Sequence, residues 1–129
     1  MEDLKGRYRQ SLLYDFYGEL LNEHQKEVYS AAVFDDMSYT ELAEEFDVSR
    51  QAAFDLVKRI EKKLESFEER LGLVGRFVTA RDRADTLKTS IDSLKQEIDV
   101  SVDDIKKKKD LKEKIDNIAK VSEEVFDFF

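Results

Sequence analysis

Apolar positions in this chain recur at helical spacing almost from end to end. Leu12, Leu13, Phe16, Tyr17, Leu20 and Leu21 fall at i, i+1, i+4, i+5, i+8 and i+9, which predicts a helix over residues 11–21 with a broad buried stripe. Residues 1–10 are polar and are expected to fray. Asn22 followed by Gln25 makes a capping box, so one helix ends there and a second runs to about Phe34, offering Val28, Tyr29, Ala32 and Phe34 to a core. Asp35, Asp36 and Met37 form a turn. Ser38 and Glu41 make a second box, opening a short helix with Leu42, Ala43 and Phe46 on one face. Ser49 is a further N-cap, and Ala53, Leu56, Val57, Ile60, Leu64, Phe67 and Leu71 carry a long helix to Gly72, a natural left-handed terminator.

A short helix, a tight turn and a longer helix make a helix-turn-helix. Ala43 supplies the small side chain wanted where the helices cross, and Val48 is placed to plug the gap between them. Asp47 stands where such turns often carry Gly, and Asp is among the residues that tolerate positive φ. At the start of the second helix Ser49, Arg50, Gln51, Phe54 and Asp55 face outward.

Beyond Gly72, Leu73, Val74 and Phe77 read as an apolar connector. A helix over residues 78–98 follows, with Leu87, Ile91, Leu94 and Ile98 on a heptad seam about two heptads long. Residues 99–104 break it, with a new cap at Ser101, and a last helix carries Leu111, Ile115, Ile118 and Val125 on another seam. These seams need partners, so a homodimer through the tail helices is expected. The fold class is all-α: a helical bundle containing a helix-turn-helix (residues 1–78), followed by long C-terminal helices (residues 79–129). Four lysines, residues 106–109, read as a solubilising stretch between Asp103, Asp104 and Asp110; as a functional patch they would touch phosphate or an acidic protein. The apolar end, residues 125–129, would dock on the bundle or on a second subunit.

Composition narrows the chemistry. Charged residues make up 40%, there is no Pro, and Gly occurs four times, all of which favours long helices. With no Cys and one His, His24 in a first helical turn, catalytic triads, thiolate sites and multi-His metal sites have no materials. Gly72 and Gly75 lack the Lys-Ser/Thr of a phosphate loop, so neither a cofactor nor enzymatic activity is expected. No apolar run approaches ~18 residues, so no membrane span is expected. The start, MEDLKGRYRQ, has no signal-peptide core, and the absence of Cys fits the cytoplasm. The net charge of −8 argues against broad affinity for nucleic acid. Residues 49–63, however, hold five basic side chains (Arg50, Lys58, Arg59, Lys62, Lys63) against Asp55 and Glu61, while residues 39–47 hold four acidic ones and no basic one. Most of the aromatic residues follow helical spacing and read as core rather than as a base-stacking surface.

The stretches LLYDFYGELLNEHQ (12–25) and DDMSYTELAEEFDVSRQAAFDLVKRIEKKLESFEERL (35–71) resemble the YlxM family of small bacterial helix-turn-helix proteins, which are related to the DNA-binding fourth region of sigma factors. The resemblance covers about half the chain. It implies a regulatory DNA-binding protein associated with the signal recognition particle pathway of protein targeting. It also implies that Ser49, Arg50 and Gln51 lead the recognition helix, with Phe54, Lys58, Arg59 and Lys62 along it. The alternative is an adaptor that binds no DNA and meets the particle's protein, RNA or receptor.

Overall fold

The computed structural model describes residues 2–127. Six α-helices follow one another: α1 (Glu2–Tyr17), α2 (Glu23–Val33), α3 (Tyr39–Glu45), α4 (Arg50–Leu71), α5 (Leu73–Ser101) and α6 (Ile105–Asp127), with a 3₁₀ turn (Gly18–Leu20) after α1. There is no strand among the described residues, and the fold class is all-α. The chain divides into two compact units, Met1–Val74 and Gly75–Phe129.

In the first unit α1 begins at Glu2, well ahead of the apolar stripe, because its polar first half is held by charge. Arg7 reaches Asp36 at 2.5 Å, Arg9 grips both carboxylate oxygens of Glu65 at 2.9 and 2.7 Å, and Gln10 donates to Glu61 at 3.2 Å. Residues expected to fray are therefore helical. Leu12, Leu13, Tyr17 and Leu21 are buried as their spacing predicts, but Leu20 is 53% exposed. The chain tightens into 3₁₀ at Gly18, which turns each residue further round the axis and swings Leu20 out. Gly18 lets the chain pass close to Tyr14: a Cβ would stand 3.2 Å from that ring, tighter than an ordinary contact.

Both capping boxes form. Asn22 Oδ1 accepts from Gln25 N at 2.8 Å and Ser38 Oγ accepts from Glu41 N at 3.1 Å, with the reciprocal bonds at 3.0 and 3.1 Å. Val28, Tyr29, Leu42, Ala53, Val57, Ile60 and Leu64 make the core, and Tyr29 donates to the Gln10 carbonyl at 3.1 Å. Burial raises the Tyr29 phenol pKa, and the Glu61 and Glu65 charges add to the shift. Phe34, expected in the core, is 49% exposed and leans edge-on against Tyr14.

α4 ends at Gly72, whose φ of 64° is the left-handed geometry expected of it. The apolar stretch after it is not a connector but the first turn of α5. Its leading amides are capped from two other helices: Leu73 N donates to the Tyr17 hydroxyl at 3.0 Å and Val74 N to Glu68 Oε1 at 2.9 Å, while Tyr17 donates to the same Glu68 oxygen at 2.5 Å.

In the second unit Ile91, Ile98 and Ile115 form a small core, with Val102, Leu111 and Ala119 packed round it. Lys95 pairs with Asp116, and Lys112 with Asp99, so α5 and α6 form an antiparallel hairpin. Lys112 holds the Asp99 carboxyl below its usual range, and the hydrogen bond that Lys95 donates to Asp116 raises the pKa of its ammonium. The cap of α6 is Asp104 rather than Ser101: Oδ1 of Asp104 accepts from Lys106 N and Lys107 N at 3.0 and 3.2 Å, while Ser101 is the last residue of α5. Each tail seam thus finds part of its partner within the chain. Leu87, Leu94, Ile118 and Val125 of those seams stay exposed. Phe128 and Phe129, part of the apolar end, lie outside the described residues. No helix among the described residues is long and apolar enough to cross a membrane.

Candidate nucleic-acid interface

The helix-turn-helix is α3 and α4 with residues 46–49 between them. Asp47 adopts φ 53°, and Val48 N donates to the Ala43 carbonyl at 3.0 Å. That six-to-one bond over a left-handed residue closes α3 as a Schellman turn, with Asp in place of Gly. Asp36 takes the same left-handed conformation after α2, at φ 54°, with Met37 N donating to the Ala31 carbonyl at 3.1 Å. Val48 does not plug the helix pair: it is 40% exposed, and Leu42, Ala53 and Val57 fill that space. Ser49 Oγ accepts from Ala52 N at 3.0 Å, so α4 starts cleanly with Arg50 in its first turn.

Each residue expected at the interface is exposed. Ala53, Val57, Ile60 and Leu64 take the buried side of α4, which turns Gln51, Asp55, Lys58, Arg59 and Lys62 outward and leaves Arg50 and Phe54 on the flank beside α3. The side chains are not equally available. Ser49 spends its hydroxyl on the cap. Gln51 Nε2 donates to Asp55 Oδ1 at 3.0 Å, and Lys58 Nζ lies 3.4 Å from Glu61. Phe54 is braced edge-on by Tyr39, with ring centroids 5.1 Å apart, and Lys58 Nζ stands 5.5 Å from its centroid. Tyr39 is thus the support that fixes Phe54. It could have been found from its place at the first position of α3, beside the outward ring of the next helix. Lys63, counted with the basic set, turns inward to Gln25 Oε1 at 3.3 Å. A cavity of about 320 Å³ adjoins the site, lined in part by Arg7, Tyr39, Arg50 and Glu61.

Glu44, Glu45, Asp47 and Asp55 are exposed round the start of α4. An anionic ligand at the start of α4 therefore meets acidic side chains beside the basic ones. His24, exposed as its position in the first turn of α2 suggests, stands edge-on to Phe46. Among the described residues no cluster of His, Asp and Glu is grouped as metal ligands would be.

The chain matches other proteins over most of its length. A UPF0122 protein of Thermoanaerobacter sp. (strain X514) is 42% identical over 86 residues, which are 67% of this chain and 74% of that protein. A UPF0122 protein of Halalkalibacterium halodurans is 45% identical over 84 residues, 65% of this chain and 77% of its own. One from Listeria monocytogenes serotype 4b is 51% identical over 69 residues, 54% and 63% respectively. The model of the family described as "Putative helix-turn-helix protein, YlxM / p13 like" matches residues 4–127, and with the capped α3–α4 pair standing where that description requires it, the chain belongs to the UPF0122 family.

Proposed function

We propose that this protein is a regulatory protein that binds duplex DNA through α4, in the manner of the sigma-factor fourth region. The observation that supports it is the exposure of Arg50 and Gln51 in the first turn of α4, on a helix whose inner face is fully committed to the core. A helix of this diameter fits the major groove end-first, with its N-terminal residues at the base edges. Arg50 suits a guanine edge and Gln51 an adenine edge, once Gln51 releases Asp55. Lys58, Arg59 and Lys62, about two to three turns on, are spaced for backbone phosphates, and Phe54 packs beneath Lys58 as a spacer. With about three phosphate contacts, log K should fall with log salt at a slope of about 3. Binding is therefore weak without sequence recognition, as a chain of net charge −8 requires. No step here is catalytic, and the place of work is the cytoplasm. The motif commonly reads two half-sites, so a homodimer belongs to this reading.

The test is titration of the full chain with genomic fragments at low salt. Arg50→Ala should cost about 1–3 kcal/mol on the preferred site and flatten sequence preference, while Lys62→Ala should weaken all sequences alike and lower the salt slope by about 1. Absence of binding to any fragment at low salt would overturn the proposal.

A second reading is supported by a separate observation, the ring of Glu44, Glu45, Asp47 and Asp55 about the same helix. Those carboxylates favour a basic protein over DNA, and would suit an adaptor contacting components of the signal recognition particle. Duplex DNA, the particle's RNA and the particle's protein, offered side by side at low salt, separate the two readings by which one the chain retains.

A further inference from the structure

A two-helix hairpin can bury only one stripe of each helix. Here the buried stripe is Ile91, Ile98 and Ile115. The ion pairs Lys95–Asp116 and Lys112–Asp99 run along one side of that seam. At about 100° per residue, Leu87 and Leu94 stand about 40° and 60° round α5 from Ile91, on the side away from Lys95. By the same count Ile118 and Val125 stand about 60° and 80° round α6 from Ile115. Because the helices run antiparallel, these turns bring both pairs to the same side of the hairpin, with Val121 at its edge. The five side chains are 42–60% exposed, a continuous aliphatic strip opposite the charged side. Two helices each about 10 Å wide, over the about 30 Å that twenty residues span, present about 600 Å². That is in the range of one side of a stable interface.

We propose that a second copy of this chain covers the strip, so that two hairpins close into a two-fold four-helix bundle. Charge at the strip's edge selects this occupant. Inside the hairpin, 95 stands opposite 116 and 99 opposite 112, which sets 97 level with 114. A two-fold axis parallel to the helices lays each α5 against the other copy's α6 at unchanged height. Glu97 then meets Lys114 of the partner subunit, and the symmetry makes the pair twice. By helical rotation both residues lie on the side of the strip rather than the intramolecular seam: Glu97 stands about 120° round α5 from Ile91, at the strip's outer edge, and Lys114 about 100° round α6 from Ile115, between Val125 and Val121. Lys114 lies 3.3 Å from Asp110 on its own helix, an exposed pair weak enough to exchange. The bundle is of the coiled-coil-like kind, with aliphatic residues inside and one opposite-charge pair, made twice, crossing between the subunits. Its purpose, bringing two α4 helices to one duplex, rests on the DNA-binding reading; its existence does not.

Sedimentation equilibrium of the full chain at tens of micromolar should give twice the 15.1 kDa of one copy. Glu97→Lys alone and Lys114→Glu alone should each weaken the dimer about tenfold, and the two together should restore it to within about threefold. Leu94→Glu should give a monomer with unchanged near-ultraviolet circular dichroism from the tyrosines, which all lie in residues 8–39 and so report an intact first unit. A monomer throughout the concentration range would overturn the proposal, as would a dimer indifferent to both charge reversals. A dimer that obeys the charge swap but binds no DNA leaves this interface standing and removes only the DNA reading.

Discussion

Replacing Tyr17 by Phe removes one oxygen atom and tests how the first unit is joined to the start of α5. Tyr17 is 1% exposed, so the ring stays buried in either case and the change isolates the hydroxyl. That hydroxyl donates to Glu68 Oε1 at 2.5 Å and accepts from Leu73 N at 3.0 Å. A hydrogen bond to a charged partner contributes about 1.5–3 kcal/mol and a neutral one about 1 kcal/mol. Neither loss is complete. Glu68 keeps the Val74 amide at 2.9 Å, and Leu73 is 37% exposed, so water can reach its N–H. The expected cost is therefore about 2–3 kcal/mol. Urea unfolding read by tyrosine circular dichroism measures it, since every tyrosine sits in the first unit. With a slope of about 1–3 kcal/mol/M, the midpoint should fall by about 0.7–3 M. Glu68→Gln should cost less than the sum would suggest when combined with Tyr17→Phe, because the two share a bond. Amide exchange at Leu73 and Val74 should also quicken selectively. A midpoint shift below about 0.3 M, or strict additivity of the two changes, would refute the idea that this hydroxyl caps α5.

Two further outcomes follow from the turn and the hairpin. Asp47→Gly should stabilise the first unit by about 0.5–1 kcal/mol in the same urea assay, because it removes the Cβ clash that Asp bears in the left-handed region, whereas Asp47→Ala keeps the Cβ and should lose about 0.5 kcal/mol. The Asp99 carboxyl is held below its usual range by Lys112, so it binds protons less readily folded than unfolded. Its contribution is whole above about pH 4 and is lost as pH falls through the folded-state value. Amide protection factors across residues 95–116, taken relative to the intrinsic exchange rate at each pH, should therefore fall in acid, and Asp99→Asn should remove that dependence.

Much of the fold is legible in the sequence because it is written in local chemistry. Asn22/Gln25, Ser38/Glu41, Ser49 and Gly72 each act on backbone groups within four residues, and all do what their types predict. What was hidden acts across long stretches of chain. The early start of α1 depends on Arg9 finding Glu65, and the early start of α5 depends on Tyr17 and Glu68, none of which any periodicity reports. Leu20 and Val48 fail for a related reason. Their apolar character was read as burial, but a 3₁₀ turn rotated one, and the αL turn at Asp47 left the other outside the helix pair.

At the candidate interface the distinction matters for mechanism. The outward positions of α4 follow from which of its residues are buried, and that was readable. How far each outward side chain is already engaged was not. Arg50, Arg59 and Lys62 reach solvent, while Gln51 is tied to Asp55, Lys58 to Glu61 and Phe54 to Tyr39. An exposed pair of this kind contributes at most about 1 kcal/mol, so a phosphate or base edge can displace it at little cost. If α4 binds DNA as proposed, the same pairs would screen the basic groups until the duplex arrives. On the proposed DNA-binding reading, selectivity falls on Arg50, the basic side chain nearest the N-terminus of α4, and Arg50→Ala should change sequence preference more than Lys62→Ala does.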